Sequence, residues 1–296
     1  MSLIAWRRAR RSLQLAGHLA LGALICFGWL APLAAAGSRR ERRQRQQWVR
    51  WWMRHLLRIV GIEVCAHGVP QAAPALLVAN HVSWLDIPCL LACTDAVFVA
   101  KTDVARWPMI GQLAARVGTL FLERGQGAEA TAAQMTAMLR AGESVAIFPE
   151  GTSTDGRALR PFHARLFQAA AAAAVPVQAV AIRYPHPAGA HPTVPFIGDD
   201  SFVPHLWRLL GEPRIESELV FCPPLPVADC DRRTLAERSR GWIAQVLAAA
   251  YPQPANVTVA SSALQAAVTP AGEHAGPRHP ETRPWKTPTR PANPAP

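Results

Sequence analysis

The run Ala75-Leu76-Leu77-Val78-Ala79-Asn80-His81-Val82-Ser83-Trp84-Leu85-Asp86-Ile87-Pro88 passes from an unbroken apolar segment, through a polar loop, to the start of a helix. An apolar segment without alternation suits a strand covered on both faces, as in the sheet of an α/β protein. Asp86-Ile87-Pro88 predicts a helix start, with Asp86 as its cap and Pro88 in the first turn. In α/β sheets, ligands and catalytic groups gather beyond the carboxyl ends of the strands, which is where Asn80 and His81 fall. A histidine there can serve as a general base near neutral pH. On a continuous helix Asp86 would lie about 140° from His81. The two therefore meet only if a turn intervenes, with His81 reaching back to Asp86. The same residues also allow a plainer reading, in which Ser83 and Asp86 form a capping pair and His81 is an ordinary loop histidine.

Working outward, short apolar runs at Ile62–Cys65, Ala96–Ala100, Thr119–Leu122, Ser144–Phe148, Val177–Ile182 and Leu219–Cys222 alternate with helical patterns. Those patterns lie at Ile87–Cys93, Val104–Val117, Ala128–Arg140, Ala164–Ala174 and Asp231–Ala250. The alternation predicts an α/β domain over residues 61–250, with a central, mostly parallel sheet flanked by helices. Three further segments stand at strand ends. Gly118-Thr119-Leu120-Phe121-Leu122-Glu123-Arg124 delivers a guanidinium that can grip a phosphate or carboxylate, or can simply be a solvated end. Phe148-Pro149-Glu150-Gly151-Thr152-Ser153 combines a glycine that permits close approach with amides and hydroxyls, or is an ordinary turn. Val175-Pro176-Val177-Gln178-Ala179-Val180 reads as a strand entry.

Taken in order, these four segments resemble the four sequence blocks of the glycerolipid acyltransferase family, which includes bacterial 1-acylglycerol-3-phosphate acyltransferases. The blocks are N-H-x4-D, G-x-x-F-x-x-R, F-P-E-G-T and a V-P-V-like strand, all within residues 80–180. The resemblance implies that His81 deprotonates the acceptor hydroxyl, which attacks the thioester of an acyl donor. Asp86 would orient the imidazole and stabilise the imidazolium, as the acid does in a Ser-His-Asp triad. Arg124, Glu150, Gly151 and Thr152 would shape the acceptor site, Glu150 by orienting Arg124 or a hydroxyl. The donor would be acyl-coenzyme A or acyl carrier protein, a co-substrate, and no cofactor or metal is implied. The acceptor would be a lysolipid, first of all 1-acyl-sn-glycerol-3-phosphate. Asp155–His163, Phe196-Ile197-Gly198-Asp199-Asp200 and His205-Leu206 resemble instead a subgroup that includes lyso-ornithine lipid acyltransferases. In that subgroup the head group carries a carboxylate and an ammonium. The stretch Pro161-Phe162-His163-Ala164-Arg165 also departs from the Phe-Lys-x-Gly that commonly follows the third block.

Residues 1–60 look built for a membrane. The chain carries a formal charge of +11, and this segment holds twelve arginines against the one acid Glu41, leaving 19 residues of each sign beyond it. A nucleic-acid-binding domain normally carries its basic excess on the folded part, so no nucleic-acid partner is expected. The uncharged run Ser12–Ala36 would extend roughly 37 Å as a helix at about 1.5 Å per residue, enough for a hydrocarbon core of about 30 Å. A signal peptide cleaved after Leu33–Ala36 and a buried core helix are the other readings. Over residues 39–60, Trp48, Trp51, Trp52, Leu56, Ile59 and Val60 share one arc of a helix, and Arg43, Arg50, Arg54 and Arg58 the opposite one. That arrangement suits a headgroup layer, the alternative being a surface helix packed on the domain. The expected setting is the bacterial inner membrane, with the catalytic domain facing the cytoplasm. Residues 251–296, rich in proline and alanine, predict a disordered tail.

Other classes fit poorly. A serine hydrolase needs G-x-S-x-G, and Gly151-Thr152-Ser153-Thr154-Asp155 has no second glycine. The histidines lack metal-ligand spacing. Cys89 and Cys93, one helical turn apart, read as small buried residues. A non-catalytic membrane adaptor is the remaining alternative.

Overall fold

Leu76, Leu77, Val78 and Ala79 are all buried, as an apolar strand covered on both faces requires. A computed structural model describes residues 2–28, 39–72, 74–101, 111, 120–122, 128–228 and 230–250. Almost all of the expected helix Val104–Val117, the candidate Arg124, the end of the Ser12–Ala36 run and the tail 251–296 lie outside the described residues.

The strands in chain order are β1 (Ile62–His67), β2 (Leu76–Ala79), β3 (Ala96–Lys101), β4 (Leu120–Leu122), β5 (Ser144–Ile147), β6 (Val177–Arg183), the two-residue β7 (Pro185–His186) and β8 (Gly189–Ala190), and β9 (Ile215–Phe221). Seven of them form one sheet in the order β1-β9-β6-β2-β5-β3-β4, while β7 and β8 pair separately. Every neighbouring pair in the large sheet is parallel except β6 with β9. Each of the expected apolar runs contributes a strand to this sheet, the run at 119–122 through its described residues Leu120–Leu122. One starts earlier than expected: β9 begins at Ile215, not Leu219, because Ile-Glu-Ser-Glu alternates buried and more exposed positions and so carries no continuous apolar run.

The described helices are α1 (Leu3–Gly28), α2 (Arg39–Val60), α3 (Asp86–Cys93), α4 (Ala128–Arg140), α5 (Gln168–Ala173), α6 (Phe202–Gly211) and α7 (Arg232–Ala250). Alternate residues of β2 feed two cores. Leu77 and Ala79 join Leu85, Cys89 and Leu90 around α3, with Leu57 and Val60 from α2. Leu76 and Val78 pack toward Met135 and Leu139 of α4, Ala169 and Ala170 of α5, and Leu235 of α7. Burying each such aliphatic side chain contributes about 1.5–3 kcal/mol, so the central strand is held from both faces.

The N-terminal helices dock on this domain in a way the sequence did not foretell. Arg11, 5% exposed, donates to the carbonyls of Leu210, Glu212 and Pro213. Arg7 donates to Gly211 O. Guanidinium groups thereby satisfy carbonyls left over at the end of α6, where the helix dipole also favours a cation. These arginines are turned into the protein and not toward lipid phosphates. On α2 the basic arc faces the domain in part: Arg50 pairs with Asp95 at 2.5 Å and Arg54 Nε donates to Ala92 O at 2.9 Å. Trp52 stacks on His18 of α1 with ring centres 3.6 Å apart, whereas Trp48 and Trp51 stay exposed. Of the arcs expected to meet the headgroup layer, Trp52 on the tryptophan arc and Arg50 and Arg54 on the arginine arc therefore face protein instead. Packing on the domain, the alternative reading, describes the inner side of α2. Among the described residues no helix is long and apolar enough to cross a membrane.

Candidate active site

The strand order explains why distant segments meet. β2 lies between β6 and β5, all three parallel, so the residues just beyond Ala79, Ile147 and Arg183 emerge side by side. Asn80 continues β2 with its side chain. Its amide Nδ2 donates to Ile182 O at 2.9 Å, and Ile182 N donates to Asn80 Oδ1 at 2.7 Å.

The chain then turns, with Asp86 N bonded to Ser83 O and Ile87 N to Trp84 O. This turn carries the Asp86 carboxylate back under the loop. Oδ2 of Asp86 accepts from Val82 N at 2.7 Å and Ser83 N at 3.0 Å, and lies 2.8 Å from His81 Nδ1. Asp86 is thus the first residue of α3, not its cap. Leu85 occupies the cap position, and no side chain caps the helix. The Ser83 hydroxyl is buried and without a hydrogen-bond partner among the described residues, so of the expected capping pair only the carboxylate half, Asp86 Oδ2 on Ser83 N, is formed. A carboxylate already accepting from two amides accepts from Nδ1–H as well, which leaves the Nε2 lone pair of His81 free of that bond. The imidazole lies flat on Phe148, with ring centres 4.0 Å apart, and keeps 20% of its side-chain surface exposed. It is therefore positioned by protein yet partly open to solvent.

Glu150, at the end of the β5 segment, is buried, and both oxygens are taken by backbone. Oε1 accepts from His81 N at 2.9 Å and Oε2 from Arg160 N at 2.8 Å. Burial pushes this carboxyl up, and the amides of Arg160 and His81 pull against that. Glu150 holds the loop that carries His81, a contact the sequence did not suggest, while Arg124, its expected partner, lies outside the described residues. Gly151 and Thr152 are exposed beside it. Gly151 has φ +73°, and a Cβ there would stand 3.2 Å from His163 Nε2. Thr154 N donates to His81 O at 2.8 Å, binding the two loops together.

Several residues of this neighbourhood carried no assigned role in the sequence. Tyr184, just past β6, donates from its hydroxyl to Asp86 Oδ1 at 2.7 Å. Burial, followed by the Asp86 charge, holds the phenol well above its ordinary range, so it remains a donor. His205 on α6 accepts from Trp84 Nε1 at 3.0 Å, and its own Nε2 is 3.2 Å from Val194 O. Phe196 N donates to Val82 O at 2.9 Å. The Phe196–Leu206 segment, seen in the sequence only as a subgroup resemblance, is the strap that holds the outer side of the His81–Asp86 loop. No local pattern signals the contacts of Tyr184 with Asp86, His205 with Trp84 and Phe196 with Val82, because they join residues about a hundred positions apart or more.

Comparison with known proteins agrees with this architecture. Residues 61–183 match the family model described as Acyltransferase. A lyso-ornithine lipid O-acyltransferase of Pseudomonas aeruginosa is 41% identical over 238 residues, covering 78% of this chain and 89% of the relative. A 1-acyl-sn-glycerol-3-phosphate acyltransferase of Neisseria gonorrhoeae is 32% identical, covering 64% and 75%. The crystal structure of the 1-acyl-sn-glycerophosphate (LPA) acyltransferase PlsC from Thermotoga maritima superposes with a TM-score of 0.61 at 18% identity, over 84% of this chain and all of that one. At that identity the likeness is one of fold.

Proposed function

We propose, for a chain that belongs to the acyltransferase family and is therefore an acyl-transferring enzyme, that its acceptor is a lysolipid and its general base is His81. The observation that carries this reading is the His81–Asp86 contact at 2.8 Å, with the imidazole still accessible. His81 Nε2 takes the proton of the acceptor hydroxyl as its oxygen attacks the carbonyl of an acyl thioester. The tetrahedral intermediate collapses to the ester, and the departing thiolate recovers the proton from the imidazolium. Asp86 keeps Nδ1 protonated and offsets the transient charge. The donor is acyl-coenzyme A or acyl carrier protein.

For the acceptor, the similarity to lyso-ornithine lipid O-acyltransferases of four organisms supports lyso-ornithine lipid ahead of the lysophosphatidic acid favoured by the sequence motifs. Lysophosphatidic acid is the second reading, supported by the Neisseria relatives. The site works at a bilayer surface. Exposed Leu3, Ile4, Trp6, Leu13, Leu21 and Leu24 on α1, with Trp48 and Trp51 on α2, support that setting, since apolar surface of this extent is unusual on a free domain. We assign it to the cytoplasmic face of a bacterial inner membrane.

The test offers lyso-ornithine lipid and lysophosphatidic acid in parallel, with labelled acyl thioester, to membranes carrying wild-type or His81→Ala protein. Diacyl product from lyso-ornithine lipid alone, absent in the variant, is expected. Product from lysophosphatidic acid alone would replace the acceptor, and activity retained by His81→Ala would remove the base.

A further inference from the structure

Tyr184 completes the surroundings of Asp86, and no step of the proposed reaction uses it. Tyr184 is 2% exposed, and Asp86 is wholly buried. The phenol donates to Oδ1 at 2.7 Å, while His81 Nδ1 and the amides of Val82 and Ser83 share Oδ2. The two oxygens of the carboxylate are therefore divided: one belongs to the His81 loop, the other to the end of β6.

We propose that Tyr184 is a positioning residue that fixes the plane of the Asp86 carboxylate and sets how strongly Asp86 holds the proton of His81. The inference rests on the reading of His81 as general base. Two physical arguments carry it. First, the amide donors and His81 all sit on one oxygen and belong to the same short loop, so they leave rotation of the carboxyl plane poorly restrained. A donor on Oδ1 from another strand removes that freedom. Second, a carboxylate divides its negative charge among its donors, and in a buried site each hydrogen bond is felt by the others. A phenol on Oδ1 draws charge away from Oδ2 and so tempers the hold on the imidazolium. The base can then release its proton to the thiolate late in the reaction.

The other groups facing this pair do not supply the same effect. Glu150, from the loop after β5, hydrogen-bonds the backbone N–H of His81 and feels the charges of His81 and Asp86 through space, but it makes no hydrogen bond to the Asp86 carboxylate or the imidazole. Cys89 of α3 has its sulfur 4.0 Å from the phenol oxygen, and burial pushes its thiol up, so it is neutral. Phe148 stacks on the imidazole without a charge. The Ser83 hydroxyl is neutral, and His205 meets the loop through Trp84, not through Asp86.

Tyr184→Phe keeps the ring and removes the donor. We expect kcat to fall about tenfold with both Michaelis constants within about twofold, the pattern of an interaction that matters in the transition state. We also expect the acidic limb of kcat/KM to move to higher pH, because the undivided Asp86 charge holds the imidazolium proton harder. The opposite shift comes from strengthening the donor. The chain has two tyrosines, so with Tyr251 replaced by Phe, biosynthetic 3-fluorotyrosine labels Tyr184 alone. Its more acidic phenol should move the limb to lower pH in a protein of nearly unchanged shape, which keeps the test valid even if Tyr184→Phe folds poorly. In a His81→Ala background, Tyr184→Phe should cost nothing further. A limb unmoved by fluorotyrosine, or an equal fractional loss with and without His81, overturns the proposal. Full activity of His81→Ala itself would instead remove the base reading beneath it, so the two failures are told apart.

Discussion

Asn80 and Ile182 exchange two hydrogen bonds, the Asn80 amide serving as both donor and acceptor to the backbone of β6 at 2.9 and 2.7 Å. A side chain here imitates one more residue of a parallel ladder. It ends β2 while keeping the chain pinned to β6, so that His81 starts its loop from a defined place and Tyr184 arrives beneath Asp86. The N–H and C=O of Ile182 are buried and depend on this one partner, which only an amide of this length can satisfy from both sides.

Asn80→Ala should therefore destabilise the fold by about 2–4 kcal/mol, the cost of leaving a buried donor and acceptor unpaired. Urea unfolding of the purified protein measures it. A loss below about 0.5 kcal/mol would mean that water replaces the amide.

Asp86→Asn preserves shape but presents an NH2 where the carboxylate accepts from four donors. The imidazole then loses the partner that keeps Nδ1 protonated. By analogy with the acid of the serine protease triad, kcat should drop by about 10²–10⁴. Michaelis constants measured in the same assay should change little. A rise in KM without loss of kcat would place Asp86 in substrate binding.

Glu150 should behave as an organiser of the His81 loop. Glu150→Gln puts an NH2 against one of two N–H donors, and kcat should fall at least about tenfold with the acceptor KM nearly unchanged. Its stability signature has a definite sign. Burial raises the folded carboxyl above its unfolded value, so the stability it contributes is present below the unfolded pKa and is lost as pH rises through the folded one. Denaturant titrations across the window just above the ordinary carboxylate range should show wild type losing stability relative to Glu150→Gln. A difference that grows with pH in favour of wild type would contradict the direction.

Gly156 has φ +76°, and a Cβ there would lie 2.9 Å from Val82 Cγ2. Gly156→Ala adds a left-handed strain of about 1–3 kcal/mol and pushes on the residue next to His81. Both melting temperature and kcat should drop. Restoration of kcat by Val82→Ala in the double variant would trace the effect to this contact.

Trp48 and Trp51, exposed on α2, should govern attachment to lipid and not the fold. Replacing both with Ser should weaken co-sedimentation with anionic vesicles while the melting temperature stays within about 2 °C. Deleting residues 1–60 is a poorer test, since Leu57 and Val60 lie in the core and Arg11 is bonded to the end of α6. Undiminished sedimentation of the double variant would shift the docking surface to α1 or α6.

Much of this protein could be read from neighbouring residues alone. Unbroken apolar runs announce strands covered on both faces, because burial there depends on side-chain type and on nothing remote. The spacing of His81 and Asp86 is likewise local: a turn bonded within residues 83–87 is sufficient to bring them together. The role of Glu150 was only half legible. Its place after a strand is written in the sequence, but its partners, His81 N and Arg160 N, depend on β5 lying beside β2.

The N-terminal arginines show the limit most clearly. Helical periodicity says which side chains share an arc, and for α2 that arc exists. Which arc meets protein and which meets solvent is decided by the surfaces waiting for it: Asp95 and Ala92 O for Arg50 and Arg54, the carbonyls ending α6 for Arg7 and Arg11. The sequence by itself determined the α/β alternation, the strand-end loops and the histidine–carboxylate spacing, since each follows from interactions between near neighbours. Only the tertiary structure decided that β6, β2 and β5 stand side by side, that Tyr184 closes the far side of Asp86, and that α6 straps the loop. Those outcomes depend on packing between surfaces assembled from distant parts of the chain, and no local pattern encodes which surfaces will meet.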